Sequence, residues 1–172
     1  SMGGYVALQF WQAYRERLAG LILCDTRAAA DAPEVAAGRE LAAERALREG
    51  VATLADEMLP RLFADGTLPQ DPELVDRTRQ MIARTSASTF AAAQRGMAGR
   101  PDMRAQLSEI AQPTLVLCGQ GDQITPPDEM RALAAAMPNV RYEEIAKAGH
   151  LAPLEQPQRV NAAIRRFLAE LG

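Results

Sequence analysis

Three residues that together can activate a hydroxyl group for attack on a carbonyl carbon occur in the order Ser1, Asp122, His150. A serine hydroxyl is a weak nucleophile unless a base removes its proton, and histidine suits that role because its pKa lies near neutrality. A carboxylate beside the imidazole holds its tautomer and stabilises the imidazolium that forms. Because His150 is the only histidine of the chain, it is the only candidate for such a base.

The first four residues, Ser1-Met2-Gly3-Gly4, could place the serine on a sharp turn. They lead directly into an apolar run that starts at Tyr5 and predicts a helix. Glycine lets a backbone pass tightly from a strand into a helix. The stretch is therefore typical of the second half of a nucleophile elbow, with Gly3 and Gly4 as its glycines.

Ser1 also has two other interpretations. A serine followed by methionine is a common remnant of tag removal, and the serine would then come from the vector. An amino-terminal serine can also use its own α-amine as the base. The second alternative leaves Asp122 and His150 without a role, whereas the choice between an inherited and a vector-derived serine stays open.

Asp122 and His150, taken singly, have ordinary structural interpretations. A loop aspartate commonly accepts hydrogen bonds from nearby backbone amides, and a single histidine is more often a satisfied loop or core residue than a catalytic one. Their positions after apolar runs favour the functional interpretation. Asp122 follows the run 113–118, and His150 follows the run 140–145.

Alternation of short apolar runs with helical patterns predicts a parallel α/β sheet. The runs 21–24, 113–118 and 140–145 are typical of buried strands. Strands joined by right-handed crossovers run parallel, and the carboxyl ends of parallel strands lie together at one end of the sheet. We therefore expect Ser1, Asp122 and His150 to gather at that end.

Helices are predicted around these strands. Residues 5–17 should form a helix whose sheet-facing side carries apolar residues, and the chain should end in a second amphipathic helix. Residues 28–108 lack strand patterns and carry frequent helix start signals, including Asp71 before Pro72, and either Ser86 or Ser88 as a cap. The predicted buried positions are Val6, Phe10, Ala13 and Tyr14 in the first helix, and Leu154, Val160, Ile164, Phe167, Leu168 and Leu171 in the last. The predicted inserted helices span 32–49, 51–63, 71–84, 86–97 and 101–107.

Composition excludes several classes of function. The net charge of −3 and the pI near 5.3 argue against a nucleic-acid-binding surface. No apolar run approaches the roughly 20 residues of a membrane-spanning helix, and no signal peptide is evident. Cys24 and Cys118 each close an apolar run, as inert, reduced core thiols do. We therefore expect a cytoplasmic protein that binds neither nucleic acid nor membranes.

Two loops and the first four residues resemble those of the α/β-hydrolase superfamily. Gly-Gln-Gly-Asp-Gln-Ile-Thr-Pro-Pro at 119–127 is similar to its acid loop, and Ala-Gly-His-Leu-Ala-Pro-Leu-Glu-Gln-Pro at 148–157 to its histidine loop. Ser-Met-Gly-Gly is similar to its elbow. Together with Leu-Ile-Leu-Cys-Asp-Thr-Arg at 21–27, these loops look most like those of 3-oxoadipate enol-lactonase-like and small esterase-like hydrolases.

The resemblance implies roles for individual residues. Ser1 would be the nucleophile, Asp122 the acid and His150 the base, and the Met2 amide would donate to an oxyanion hole. The substrate would be a carboxylic ester or a lactone that reacts through an acyl-enzyme. No metal or cofactor is implied.

The resemblance also implies how the chain is organised. Residues 1–27 and 109–172 would form a partial α/β-hydrolase core, and residues 28–108 a helical cap. Family members carry several strands before the elbow, and a loop there supplies the second oxyanion-hole amide. The sequence therefore predicts a truncated α/β-hydrolase fold with about three parallel strands.

A second hypothesis is a non-catalytic remnant of such a hydrolase. The apolar strand 21–24 would lie at an open edge of the sheet, and such edges tend to pair with another chain. The remnant would then associate with itself or bind a separate amino-terminal fragment. Under either hypothesis we expect a homo-oligomer that covers this edge.

Overall fold

The computed structural model describes residues 1–171, and within them three strands form one parallel sheet. The strand order is β1-β2-β3, with Leu21 opposite Thr114 and Thr114 opposite Val140. The predicted α/β class and all three predicted strands are therefore confirmed. The strands are β1 (Leu21–Cys24), β2 (Thr114–Gly119) and β3 (Val140–Ile145). The helices are α1 (Met2–Tyr14), α2 (Pro33–Glu49), α3 (Ala52–Leu62), α4 (Thr67–Gln70), α5 (Pro72–Ala83), α6 (Ala87–Ala98), α7 (Pro127–Ala135), α8 (Ala152–Glu155) and α9 (Pro157–Glu170).

The core of the molecule lies on both faces of this sheet. Every residue of the central strand β2 is buried. Successive side chains of a strand point to opposite faces, and the two faces are covered by different helices. Helices α1 and α7 cover the face that carries Val116, whereas α9 covers the face that carries Leu117.

The prediction of which side of the first helix faces the sheet is wrong. Gly4, Leu8 and Trp11 are the buried residues of α1. Val6 and Phe10, which were predicted to face the sheet, are 63% and 42% exposed, and Tyr14 and Ala13 are exposed as well. Gly4 determines this orientation because its missing side chain lets the helix approach β1 closely.

Residues 28–108 contain helices α2 to α6 and no strand. The predicted cap at Asp71 is confirmed, because its Oδ1 accepts a hydrogen bond from the Leu74 amide. Of the two alternatives Ser86 and Ser88, Ser86 is the cap, since its Oγ accepts a hydrogen bond from the Thr89 amide. The four-residue helix α4 was not predicted. The last predicted helix, at 101–107, is instead a 3₁₀ helix at Arg104–Glu109.

The predicted terminal helix is interrupted at Gln156, which separates α8 from α9. Gln156 has φ −131° and ψ 57°, outside the helical region. The residue before a proline is disfavoured in the α conformation, and Pro157 follows. Of the predicted buried residues, Val160 and Phe167 lie in the core, but Leu154 and Leu168 are exposed.

Among residues 1–171, no helix is long and apolar enough to cross a membrane. Cys118 is buried and Cys24 is half-buried, and both thiols are free. Burial is the main cause that raises the pKa of each thiol far above its ordinary value. These cysteines are therefore poor sources of thiolate, as predicted for core positions.

Candidate active site

Asp122 and His150 meet at the carboxyl edge of the sheet. Asp122 follows β2 and His150 follows β3. The Nδ1 atom of His150 lies 2.8 Å from Oδ2 of Asp122, and the two side chains are 6% and 0% exposed. The structure therefore brings these two predicted residues together in a buried, hydrogen-bonded pair.

Thr125 completes the surroundings of the Asp122 carboxylate. Oδ1 of Asp122 accepts hydrogen bonds from the amides of Ile124 and Thr125, at 2.8 and 3.0 Å. Its Oδ2 accepts one from the Thr125 hydroxyl at 2.6 Å. Burial by itself would raise the pKa of Asp122, but hydrogen bonds from His150 and Thr125 outweigh it and hold that pKa below its ordinary value. Asp122 is therefore an ionised partner for the imidazole at neutral pH.

The two loops that carry this pair are in direct contact. A Cβ atom on Gly119 would lie 2.0 Å from the carbonyl oxygen of Gly149, and a Cβ on Gly149 would lie 2.5 Å from the Ala64 nitrogen. No larger residue fits at either place without movement of the backbone. The Gly121 amide adds a 2.8 Å hydrogen bond to the carbonyl of Ala148. The acid loop and the histidine loop therefore pack as one unit.

Ser1 lies immediately before the first residue of α1 and is exposed. Its carbonyl oxygen accepts hydrogen bonds from the Gly4 amide and from the Thr26 hydroxyl, both at 2.8 Å. Thr26 follows β1, so this contact ties the turn at Ser1 to the same edge of the sheet. The amide of Met2 belongs to the first turn of α1, where amides lack intrahelical acceptors.

The two glycines of the predicted elbow differ in their surroundings. A Cβ atom on Gly4 would lie 2.3 Å from Oγ1 of Thr26. No atom would lie within 4 Å of a Cβ on Gly3. Only Gly4 is therefore required by the packing of α1 against the residues that follow β1.

Asp25 is a second buried carboxylate at this edge. Its Oδ1 accepts a 2.7 Å hydrogen bond from the Gly119 amide at the end of β2. Its φ of 46° lies in the left-handed region. Burial, with a smaller contribution from the charge of Asp122, raises the pKa of Asp25 to about 6 despite the hydrogen bonds from Gly119 and Cys24.

Asp25, Cys118 and Asp122 form a group with possible metal-ligand atoms within 4.8 Å of one another. Each already has a partner: Asp25 accepts from Gly119, the Cys118 thiol donates to backbone carbonyls, and Asp122 binds His150. Metal ligands must be deprotonated, whereas the pKa values of Asp25 and Cys118 are raised. We assign no metal to this group.

Sequence reasoning missed two residues that hold the site, Thr125 and Glu155. Thr125 lies three positions after Asp122, as in local side-chain turns, and that spacing could have indicated it. The Glu155 carboxylate accepts hydrogen bonds from the amides of Gly149 and Ala64. Its partner in residues 28–108 is distant in the sequence, so no local pattern could have revealed the contact.

Comparison with known proteins agrees with this fold. The sequence model of the family described as alpha/beta hydrolase fold matches residues 1–157. The chain therefore belongs to the α/β-hydrolase family. This result confirms the superfamily that the elbow and the two loops predicted.

Individual relatives are esterases and lactonases by name. The chain is similar to a thermophilic esterase from Thermogutta terrifontis, solved with malate bound, with 50% identity and a TM-score of 0.97 over 99% of this chain and 63% of that one. It is similar to the enol-lactonase of Burkholderia xenovorans, with 29% identity and a TM-score of 0.88 over 98% and 63%. It is also 27% identical to 3-oxoadipate enol-lactonase 2 of Acinetobacter baylyi, over 98% of this chain and 61% of the relative.

The chain thus spans about three fifths of the length of these relatives. What their names state applies to proteins that are longer than this chain.

Proposed function

We propose that this chain carries the catalytic triad of a serine hydrolase that acts on a small carboxylic ester or lactone. Ser1 is the nucleophile, Asp122 the acid and His150 the base. The observation that carries the proposal is the buried pair of His150 Nδ1 and Asp122 Oδ2 at 2.8 Å. The named activities of the similar esterase and enol-lactonases support the substrate class.

The pair of His150 and Asp122 supports a route for the Ser1 hydroxyl proton. With Nδ1–H donating to the ionised Asp122, Nε2 of His150 is left as the acceptor for the Ser1 hydroxyl proton. Oγ of Ser1 then forms a bond to the carbonyl carbon, and the imidazolium returns the proton to the leaving alcohol oxygen. In a lactone the alcohol stays attached to the acyl group.

Water completes the cycle. His150 takes a proton from the water as its oxygen attacks the acyl-enzyme, and the proton passes to Ser1 Oγ when the ester bond breaks. Each attack produces a negatively charged oxygen. The Met2 amide at the start of α1 supplies a hydrogen-bond donor for that oxygen, and a donor of this kind is typically worth about 10²- to 10³-fold in rate.

The organisation of the chain forms part of the same proposal. Residues 1–27 and 109–172 are proposed as a partial hydrolase core, and residues 28–108 as a helical cap that shapes the entrance for substrate. Cytoplasmic location is proposed because both cysteines are free thiols, as in a reducing compartment. No step of the proposed mechanism uses a metal or a cofactor.

The proposal predicts that the 172-residue chain hydrolyses p-nitrophenyl acetate and butyrate. Ser1→Ala and His150→Ala should each reduce kcat by about 10³-fold or more, because loss of one triad member disables the others. Ser88→Ala, a serine of the helical insertion, is the matched control and should keep the parent rate. Equal rates in the parent chain, Ser1→Ala and His150→Ala would show that the triad does not operate here.

A second candidate function is association through the surfaces that lie beside Ser1. Strand β1 is an edge strand of the described sheet, and α1, which packs against it, exposes an apolar stripe. We propose that a second copy of the chain covers these surfaces. Binding of a separate amino-terminal fragment is the alternative outcome. The stripe consists of Met2, Val6, Phe10 and Tyr14.

A further inference from the structure

The backbone on both sides of His150 contacts the end of α3 and the loop that follows it. The Leu151 amide donates a 3.1 Å hydrogen bond to the carbonyl of Leu62. On the other side, Gly149 lies so close to this segment that a Cβ would be 2.5 Å from the carbonyl carbon of Phe63. The loop that carries the proposed base therefore rests on the helical insertion.

The Glu155 carboxylate joins the same two parts of the molecule. Its Oε1 accepts a 2.6 Å hydrogen bond from the Gly149 amide, next to His150 in the chain. Its Oε2 accepts hydrogen bonds from the Ala64 amide at 2.9 Å and from the Thr67 hydroxyl at 2.5 Å. One side chain thus satisfies three donors from two segments that are distant in sequence, one at Gly149 and the other at Ala64 and Thr67.

We propose that Glu155 is a positioning residue. By clamping the histidine loop to residues 62–67, it keeps the His150 imidazole aligned for its hydrogen bond to Asp122. This inference rests on the proposed function, because positioning matters only if His150 acts as the base. The hydrogen bonds of Glu155 go to Gly149, Ala64 and Thr67 and not to the imidazole. It acts through the Gly149 amide, one peptide bond away.

The backbone before His150 gives a physical reason for such a clamp. Lys147 has φ 60°, in the left-handed region that residues with a side chain rarely adopt. Conformations of this kind persist only when the surrounding structure holds them. Gln156 Nε2 donates a 3.2 Å hydrogen bond to the Lys147 carbonyl, and Glu155 accepts the Gly149 amide two residues further on, so the two side chains hold this stretch of backbone from both ends.

The test compares Glu155→Gln and Thr67→Val with the control Glu44→Gln. In Glu155→Gln, the side-chain NH₂ group replaces one carboxylate oxygen and therefore faces a donor from which it cannot accept a hydrogen bond. Thr67→Val removes only the hydroxyl donor of the helical insertion. Glu44 is an exposed residue of α2. Because His150 is the only histidine, its Nδ1 proton can be assigned in ¹⁵N-labelled protein without ambiguity.

We expect a downfield Nδ1–H resonance in the parent chain and in Glu44→Gln. In Glu155→Gln it should broaden through exchange with water at temperatures where the protein is still folded, with a smaller effect in Thr67→Val. In p-nitrophenyl acetate hydrolysis, Glu155→Gln should lower kcat by about 10- to 100-fold with little change in KM, as misplacement of a catalytic group does.

An unchanged resonance and full kcat in folded Glu155→Gln, with only a lower melting temperature, would overturn the proposal. If Glu155→Gln does not fold, an unchanged resonance and kcat in Thr67→Val would overturn it. The resonance is measured without substrate, so a parent chain that lacks esterase activity contradicts the proposed function and still leaves the clamp to be judged by the resonance.

Discussion

At the scale of single residues, two buried carboxylates at one edge of the sheet have opposite pKa shifts. Asp122 accepts hydrogen bonds from His150 and Thr125 that outweigh the effect of burial, so its pKa is lowered. Asp25 has fewer donors and lies beside the charge of Asp122, so burial prevails and its pKa is raised to about 6. The two environments keep Asp122 ionised and let Asp25 take up a proton in mildly acidic solution.

We predict that Asp25→Asn becomes more stable relative to the parent chain as the pH rises. The pKa of Asp25 is about 6 in the folded chain against 3.8 as the ordinary value. Its protonated form favours folding below about pH 4, and this contribution is lost as the pH rises through about 6. By about pH 7, a shift of this size lowers the free energy of unfolding of the parent chain by about 3 kcal/mol relative to Asp25→Asn.

Urea unfolding at several pH values measures this difference directly. The asparagine oxygen can still accept from the Gly119 amide, so the variant removes the charge and keeps that hydrogen bond. Asp128→Asn, at an exposed position of α7, is the control. A difference between Asp25→Asn and the parent that does not change with pH would contradict the raised pKa.

The sequence was sufficient to predict site residues that are identified by their type and their order in the chain. Asp122 and His150 were predicted to meet because each follows a strand of one parallel sheet, and they do. The raised pKa of Asp25 was not foreseen, since it depends on burial beside Asp122. The role of Glu155 was also missed, because Ala64 becomes its neighbour only after folding.

At the scale of secondary structure, α1 shows why apolar periodicity misidentified the buried face. Val6, Phe10 and Tyr14 recur at helical spacing, and the pattern favoured them over the true buried positions. The buried stripe is Gly4, Leu8 and Trp11. Hydropathy does not identify glycine as a contact residue, although Gly4 is where α1 and Thr26 approach most closely.

We predict that Gly4→Ala and Gly3→Ala have opposite effects on stability. The new methyl group in Gly4→Ala meets the Thr26 side chain at 2.3 Å, and overpacking of this kind costs about 1–3 kcal/mol. Gly3→Ala adds a methyl group in open space and replaces a poor helix former. It should be neutral or stabilising by up to about 1 kcal/mol.

Thermal and urea unfolding of the two variants measure these effects, and each variant is the control for the other. Gly4→Ala should also weaken the hydrogen bond between Thr26 and the Ser1 carbonyl, because Thr26 must move. Equal stability of the two variants would show that α1 does not pack against Thr26 in this way.

Local signals predicted the caps and could have predicted the helix break. Asp71 was correctly identified, and Ser86 was one of the two caps considered, because a cap depends on the residue type and its nearest neighbours. Pro157 carries an equally local signal, since it disfavours a helical Gln156. The amphipathic pattern of the last helix was instead extended back to Leu154, which is exposed.

At the scale of the whole molecule, the described sheet ends at β1 on one side, and α1 exposes four large apolar residues beside it. Contiguous apolar surface on a protein commonly marks an interface, and an edge strand offers unpaired backbone groups. Strand 21–24 was predicted to lie at an open edge of the sheet, and β1 is an edge strand of the described sheet. The exposed stripe could not be predicted, because it depends on which side of α1 faces the sheet.

We predict that the purified chain is a dimer or a larger oligomer in light scattering, and that Val6→Glu shifts it toward the monomer. A charge placed in the stripe opposes burial of that surface. Val35→Glu is the matched control because Val35 is also exposed, on α2, and it should leave the mass unchanged.

A monomeric parent chain would contradict self-association. If the parent chain forms a stable complex only after a separate amino-terminal fragment is added, that fragment is the partner and a second copy is not. Both results are read from the same mass measurement, with and without the fragment.

Covalent labelling of Ser1 tests the central claim most directly. A fluorophosphonate should form a phosphonyl ester with Ser1 Oγ, with loss of fluoride, because His150 accepts the hydroxyl proton while Asp122 holds the imidazole. Peptide mass spectrometry should find the label on Ser1 in the parent chain and lose it in Ser1→Ala and His150→Ala. A parent chain without label at Ser1, or His150→Ala labelled as fast as the parent, would contradict the account.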